Sequence, residues 1–159
     1  MFYHATLQEG LLIQRKSLSG AACPVARSLD VIGDWWSLLI VRDALRGMCR
    51  FSDFHNSLGV SRNILTRRLC SLVRLGILER TAASDGGAYR EYHLTAKGRG
   101  LFNVLVALGQ WGQEYLPAPV GKCMALVDRE HRQPVRRIEV RAGDGRLLGP
   151  DDTIMARVG

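Results

Sequence analysis

Eight arginines fall between Arg42 and Arg80: Arg42, Arg46, Arg50, Arg62, Arg67, Arg68, Arg74 and Arg80. Only Asp43, Asp53 and Glu79 oppose them, so about a quarter of the chain carries +5 of a formal net charge of +7. A guanidinium presents a planar fork of N–H donors that fits a phosphate, or the paired acceptors on the edge of guanine. Asn63 stands among these arginines, and a carboxamide fits the donor–acceptor edge of adenine. This is the chemistry of gripping a polyanion rather than of making bonds. A second chemistry belongs to Cys23, directly before Pro24. Proline suits the first turn of a helix, and a helix N-terminus favours thiolate over thiol. Cys23 is therefore a candidate redox sensor; the plainer alternative is a small buried cysteine.

Helices must position these groups. Residues 23–47 read as helical, with Gly33 breaking the run, Asp34 as a cap and Gly47 just past the end. Residues 51–76 read as two helices with a tight joint. Ser52 is the expected cap of Phe51–Leu58, Gly59 the stop, and Ser61 the cap of a second helix over 62–75. At about 100° per residue, Leu65, Leu69, Leu72 and Val73 share one side of that second helix. Asn63, Arg67, Cys70 and Arg74 take the opposite side, flanked by Thr66. The period then changes. Residues 77–81 and 89–94 alternate like strands around Ser84-Asp85-Gly86-Gly87, a turn signal, which makes a β-hairpin carrying Arg80 and Arg90. Residues 95–115 return to helix, with Thr95 as cap.

That last helix is unusually apolar. Leu101, Phe102, Leu105, Leu108 and Tyr115 spread over more than one narrow stripe, together with Trp111. A subunit interface is the expected cover, the alternative being residues 1–22 or 120–159. Pro117-Ala118-Pro119 ends the helix. Beyond it, 125–127 and 136–142 read as strands, and Gly143-Asp144-Gly145 as a second turn signal followed by Leu147-Leu148, a small β appendage of nearly balanced charge. The expected organisation is mainly α (α+β). A lead-in over 1–22 supplies a candidate dimer contact. A winged helix–turn–helix covers 23–116, with a reading helix at 61–75, a wing at 77–94 and a dimer helix at 95–115. A β-hairpin appendage covers 117–159.

Composition narrows the function classes. The chain has 159 residues, 47% hydrophobic and 23% charged, which suits a folded domain with a core and excludes disorder throughout. Apolar runs are too short to span a bilayer, and residues 1–22 lack the apolar core of a secretory signal, so a cytoplasmic protein is expected. Cys23, Cys49, Cys70 and Cys123 form no C-x-x-C pair, and His4, His55, His93 and His131 form no ligand pair with them along the sequence. Neither metal nor cofactor is expected. No nucleophile–base spacing or phosphate loop appears, so no enzyme is expected.

The order of elements is that of a winged helix–turn–helix, in which the second helix of the pair enters the major groove. The stretch from Cys23-Pro24-Val25-Ala26 to Gly33-Asp34-Trp35-Trp36-Ser37-Leu38-Leu39-Ile40 resembles the opening of the HxlR family of bacterial regulators. Arg50-Phe51-Ser52-Asp53-Phe54, Gly59-Val60-Ser61 through Arg67-Arg68-Leu69, and Tyr92-His93-Leu94-Thr95-Ala96-Lys97-Gly98 resemble its later signatures. The resemblance spans about residues 23–115. It implies a MarR-like winged-helix homodimer that regulates transcription from a palindromic operator in double-stranded DNA, most simply as a repressor. Ser61, Arg62, Asn63, Thr66, Arg67, Arg68, Arg74, Arg80 and Arg90 are the DNA-binding candidates. Some relatives sense oxidants through a cysteine placed like Cys23. Trp35, Trp36 and Trp111 are candidates for a small-molecule effector pocket or for dimer packing. The alternative is a winged-helix protein-interaction module that does not touch DNA, which an acidic reading helix would have favoured.

Overall fold

The computed structural model describes residues 17–116 and 124–156. Most of the lead-in, Pro117-Ala118-Pro119 and Cys123 lie outside them. The chain divides into two compact units, Met1–Trp35 and Trp36–Gly159.

The first unit is organised around helix α1, Pro24–Ile32. Pro24 occupies the first turn, where its missing N–H costs nothing, and Cys23 is the extended N-cap residue. The Arg27 guanidinium donates to the carbonyls of Ala21 and Ala22, both at 2.7 Å, and the Leu18 N–H donates to Asp30 at 2.9 Å. These bonds fold residues 18–22 back on α1.

The second unit holds α2 (Trp35–Leu45, whose first residue closes the first unit), α3 (Phe51–Leu58), α4 (Arg62–Arg74), β1 (Leu78–Ala82), β2 (Arg90–Leu94), α5 (Ala96–Arg99) and α6 (Phe102–Tyr115). Strands β1 and β2 form one antiparallel hairpin in the register Leu78↔Leu94, Arg80↔Tyr92 and Ala82↔Arg90. Helix α3 packs on α4 and β2, α4 on β1, and α5 on β2. The core is where these faces meet: Ile40, Val41, Phe54, Leu65, Leu69 and Leu72 are fully buried, with Ile77, Leu78 and Leu94 nearly so.

Three features differ from the sequence reading. Helix α3 has the expected bounds, but its N-cap is Arg50 rather than Ser52, with the Arg50 N–H donating to the Asp53 carboxylate at 3.3 Å. Ser52 is inside the helix. The helix read over 95–115 breaks at Gly100-Leu101 into α5 and α6. Before the break, the absent side chain of Gly98 lets α5 press against the Ile77 carbonyl; a Cβ there would also lie 2.8 Å from Leu94. The β appendage consists of two bridge-closed turns, Val127↔Pro134 and Arg141↔Leu147, followed by a 3-10 turn at Pro150–Asp152, rather than of the longer strands expected.

Candidate nucleic-acid interface

Helix α4 is fixed from behind and free in front. The Ser61 side chain accepts from the Ile64 N–H at 3.4 Å and caps the start. Gly59, at φ 62°, turns the chain sharply out of α3. Lys97 donates to the Leu75 carbonyl at 2.8 Å, satisfying one of the carbonyls left open past the end of α4. Leu65, Leu69 and Leu72 bury the rear face. Ser61, Arg62, Asn63, Thr66, Arg67, Cys70 and Arg74 are all exposed, as their spacing predicts; Arg68 is half-buried. The Arg62 guanidinium lies over the Phe51 ring at 5.9 Å, which holds its base near the joint with α3. Among the described residues, no ion pair engages Arg67, Arg74, Arg80 or Arg90.

The hairpin is tied back to the residues that enter α3. The Tyr92 N–H donates to the Cys49 carbonyl at 2.8 Å, and Arg50 forms a bridge with Glu91. The Arg50 guanidinium reaches Asp85 at 3.0 Å and lies 4.8 Å over the Tyr89 ring. The Tyr89 hydroxyl donates to Asp85, which pushes its pKa up to about 12 and, with the Gly87 N–H, holds the Asp85 carboxyl below its usual range. These bonds position exposed Arg80 and Arg90 relative to α4.

Not every arginine of the basic stretch faces outward. Asp43 is fully buried. It accepts from Arg42 Nε at 2.9 Å and from the Ser57 hydroxyl at 2.7 Å, and Arg46 lies 3.9 Å away. Arg42 and Arg46 are therefore engaged by buried Asp43, and Arg50 by Asp85 and Glu91, whereas the arginines of the stretch without such partners among the described residues lie on α4 and the hairpin. Composition gave no sign of this, because a buried aspartate looks like an exposed one in the sequence.

A second cluster escaped the sequence reading altogether. Cys49, Glu91 and His93 bring ligand-capable atoms within 4.8 Å of one another. Spacing along the chain separates Cys49 from His93, but the bridge from Arg50 to Glu91 and the bond from the Tyr92 N–H to the Cys49 carbonyl bring them together. The only sequence signal is that Glu91 and His93, two apart on a strand, share a face. Glu91 is buried, and its carboxyl feels two opposing influences. Burial pushes its pKa up, but hydrogen bonds from Ser84 at 3.0 Å and His93 at 3.2 Å prevail and hold it below the usual range. Burial, then the carboxylates of Glu91 and Asp53, push the Cys49 thiol up, against Arg50.

Helix α6 has two faces. Its polar side holds the tail: Gln110 accepts from the Ile138 N–H at 2.8 Å and donates to the Arg136 carbonyl at 2.9 Å, and Gln113 donates to the Met124 carbonyl at 2.6 Å. Glu114 pairs with Arg137. Phe102 and Leu105 line a cavity of about 360 Å³ between α2, α6 and the tail, with Arg42 and Arg46 at its wall. Trp35, Trp36 and Trp111 are not among the residues lining it. Trp35 is exposed and Trp36 half-buried, while Trp111 stacks obliquely on Tyr115 at 5.7 Å. The other face carries Val104, Leu108, Trp111 and Tyr115, which are 46–58% exposed. Leu101 is half-buried at the start of the helix, and Cys23 is exposed. No helix among the described residues is long and apolar enough to cross a membrane.

Comparison with known proteins agrees with this architecture. Residues 31–119 match the model of the HxlR-like helix-turn-helix family. An uncharacterized HTH-type transcriptional regulator of Mycobacterium tuberculosis is 42% identical over 113 residues, covering 69% of this chain and 72% of the relative. The solved structure of PA1607, named as a candidate transcription factor, superposes with a TM-score of 0.83 at 51% identity, over 88% of this chain and 98% of that one. The redox regulator HypR in its oxidized form superposes at 0.55 with 30% identity, over 60% of this chain and all of that one. Helix α4, its hairpin and these relatives lead to one statement: the chain belongs to the HxlR-like helix-turn-helix family of DNA-binding transcription regulators.

Proposed function

We propose that the chain is a sequence-specific homodimeric repressor that reads a palindromic operator in double-stranded DNA. The observation that carries this is the division of α4 into a rear face locked by Leu65, Leu69 and Leu72 and a front face of exposed Arg62, Asn63, Thr66, Arg67 and Arg74. The front of α4 enters the major groove, where Arg62, Asn63, Thr66 and Arg67 meet base edges. Ser61, Arg68 and Arg74 meet phosphates, and Arg80 and Arg90 of the hairpin meet the flanking backbone or minor groove. Residues 23–116 act as the reading unit, 1–22 add to the dimer and 117–159 are appended. The regulator works in the cytoplasm, on the nucleoid.

The dimer is supported by the exposed face of α6. Val104, Leu108, Trp111 and Tyr115 recur every three or four residues, the pattern of a helix that packs along another helix. A two-fold axis there pairs like with like and sets two reading helices to half-sites about one DNA turn apart. Leu101, Phe102 and Leu105 support that face from the side of the tail. Occupying an operator in this way blocks a promoter. Cys23, exposed at the start of α1, is the thiol through which oxidation controls binding; the likeness to HypR supports a redox-controlled relative. The cavity beside Arg42 and Arg46 supports a small-molecule effector site, and Trp35, Trp36 and Trp111 are assigned to dimer packing.

The test is a fluorescence-anisotropy titration against DNA upstream of the protein's own gene, with a scrambled duplex as control, at several salt concentrations. Tight, salt-dependent preference for the upstream DNA is the expected result. Mild oxidation should weaken binding reversibly in the native protein but not in Cys23→Ser. No binding to either duplex at low salt would favour a protein-interaction module. A monomer by light scattering at micromolar concentration would refute the dimer.

A further inference from the structure

We propose that Cys49, Glu91 and His93 form a binding site for a zinc-class divalent metal ion at the base of the hairpin. The first argument is chemical. Thiolate, imidazole and carboxylate together suit zinc and its neighbours in the first transition series, whereas magnesium and calcium take oxygen ligands almost exclusively. A thiolate and a carboxylate would also neutralise the ion's two charges. Three protein ligands leave a fourth tetrahedral position, and the half-exposed imidazole of His93 puts that position within reach of water.

The second argument is geometric. Metal–ligand distances of about 2.0–2.3 Å at tetrahedral angles place neighbouring ligand atoms about 3.3–3.6 Å apart. His93 Nε2 already lies 3.2 Å from Glu91 Oε2, and all three ligand atoms lie within 4.8 Å. Closing the remainder takes no more than about 1.5 Å of movement, within the reach of side-chain rotation. The backbone around the site is held in place. Cys49 accepts from the Tyr92 N–H, and the adjacent Arg50 bridges to Glu91.

The third argument is the environment. Ser84 donates to Oε1 of Glu91, fixing the carboxylate and leaving Oε2 toward His93. Hydrogen bonds of this kind, one shell behind the ligands, orient carboxylates at metal sites. Arg50 is engaged by Asp85 and Tyr89, and its Nε lies 3.9 Å from Oε1, the oxygen that already accepts from Ser84. Asp53 adds negative charge on the Cys49 side. The site would bind β2 to the segment entering α3 by a bond stronger than the present hydrogen bonds, and it stands apart from the question of what α4 reads.

The experiment uses the full chain, kept reduced and stripped with a chelator, without DNA. Zinc affinity is measured by competition with a chromogenic chelator, and cobalt(II) replaces zinc to report sulfur ligation through its thiolate charge-transfer band. Expected are one ion per chain, a thiolate band, and a rise in the thermal midpoint on adding zinc. Cys49→Ser and His93→Gln, both at partly exposed positions, should each weaken zinc at least about 100-fold and abolish the midpoint rise. Cys23→Ser and Cys70→Ser should change neither. Failure of the native chain to bind zinc, or native affinity in either ligand variant, would overturn the site. So would a cobalt complex without the thiolate band.

Discussion

Helices α4 and α6 are nearly equal in length, 13 and 14 residues, yet they end in opposite states. Helix α4 buries Leu65, Leu69 and Leu72 completely, and α6 buries none of its residues. The difference is not in apolar content, for α6 is the more hydrophobic of the two in sequence. It lies in what each face meets. The rear of α4 meets α3 and the hairpin, so its front is left to polar groups. The polar side of α6 is occupied by the tail through Gln110, Gln113 and Glu114, so its apolar side faces outward. Helix α4 is completed by its own chain; in the proposed dimer, α6 is completed by a copy of that chain.

The largest expected effect tests this contrast directly. Leu69→Ala removes a fully buried side chain and should cost about 2–5 kcal/mol of unfolding free energy, unchanged across protein concentration. Leu108→Ala removes a similar side chain from a half-exposed site. It should leave the unfolding of the isolated subunit nearly unaltered and instead raise the concentration at which dimers dissociate. Denaturant melts at two protein concentrations separate the cases. Equal, concentration-independent losses for both substitutions would erase the distinction between the helices.

Gly98→Ala should come next, at about 1–3 kcal/mol. Its new methyl would press on the Ile77 carbonyl and Leu94, and α5 would have to move away from the strands. A thermal shift within error would show that α5 adjusts freely and that the close approach at Gly98 is not required.

What could be read in advance follows the range of the forces involved. The cap at Ser61, the stop at Gly59, the leucine face of α4 and the turn at residues 84–87 are local, and each is legible from a few neighbouring residues. The burial of Asp43 is not, since it depends on Ser57, fourteen positions away, and on arginines that composition assigns to a solvent face. Ser52 misled because a cap is chosen by where the helix turns, and Asp53 secures that turn at Arg50, two residues earlier. The Cys49–Glu91–His93 cluster needs the register of the hairpin and its bridge to Arg50, which no spacing rule contains. The tail bridges are short because turn residues mark where a chain reverses, not how long the flanking strands pair.

The same contrast divides the arginines. Arg67→Ala should weaken operator binding about 10- to 100-fold, as expected for loss of one base-reading contact, with an unaltered melt. Arg46→Ala should do the reverse. It loosens the cover of buried Asp43 and lowers the midpoint, while subunits that remain folded bind DNA as before. Anisotropy and melting on both variants decide it. If Arg46→Ala weakens DNA binding as much as Arg67→Ala without affecting stability, the basic stretch acts as a diffuse charge and α4 has no privileged face.

The smallest effect expected is at Ser61. Its side chain satisfies the Ile64 N–H, and loss of such a cap costs about 1 kcal/mol. Ser61→Ala should show that loss in stability. It should also weaken DNA binding slightly, because the first turn of α4 both carries Arg62 and Asn63 and presents its N–H groups to phosphate. Ser61→Asp separates these two roles. Aspartate caps as well as serine does, so stability should return. Its charge, however, would repel the phosphates, and DNA binding should fall further than in Ser61→Ala, most at low salt. Recovery of both properties in Ser61→Asp would mean that the start of α4 stands away from the DNA backbone, and the helix would then have to enter the groove by its middle, at Arg67 and Arg74.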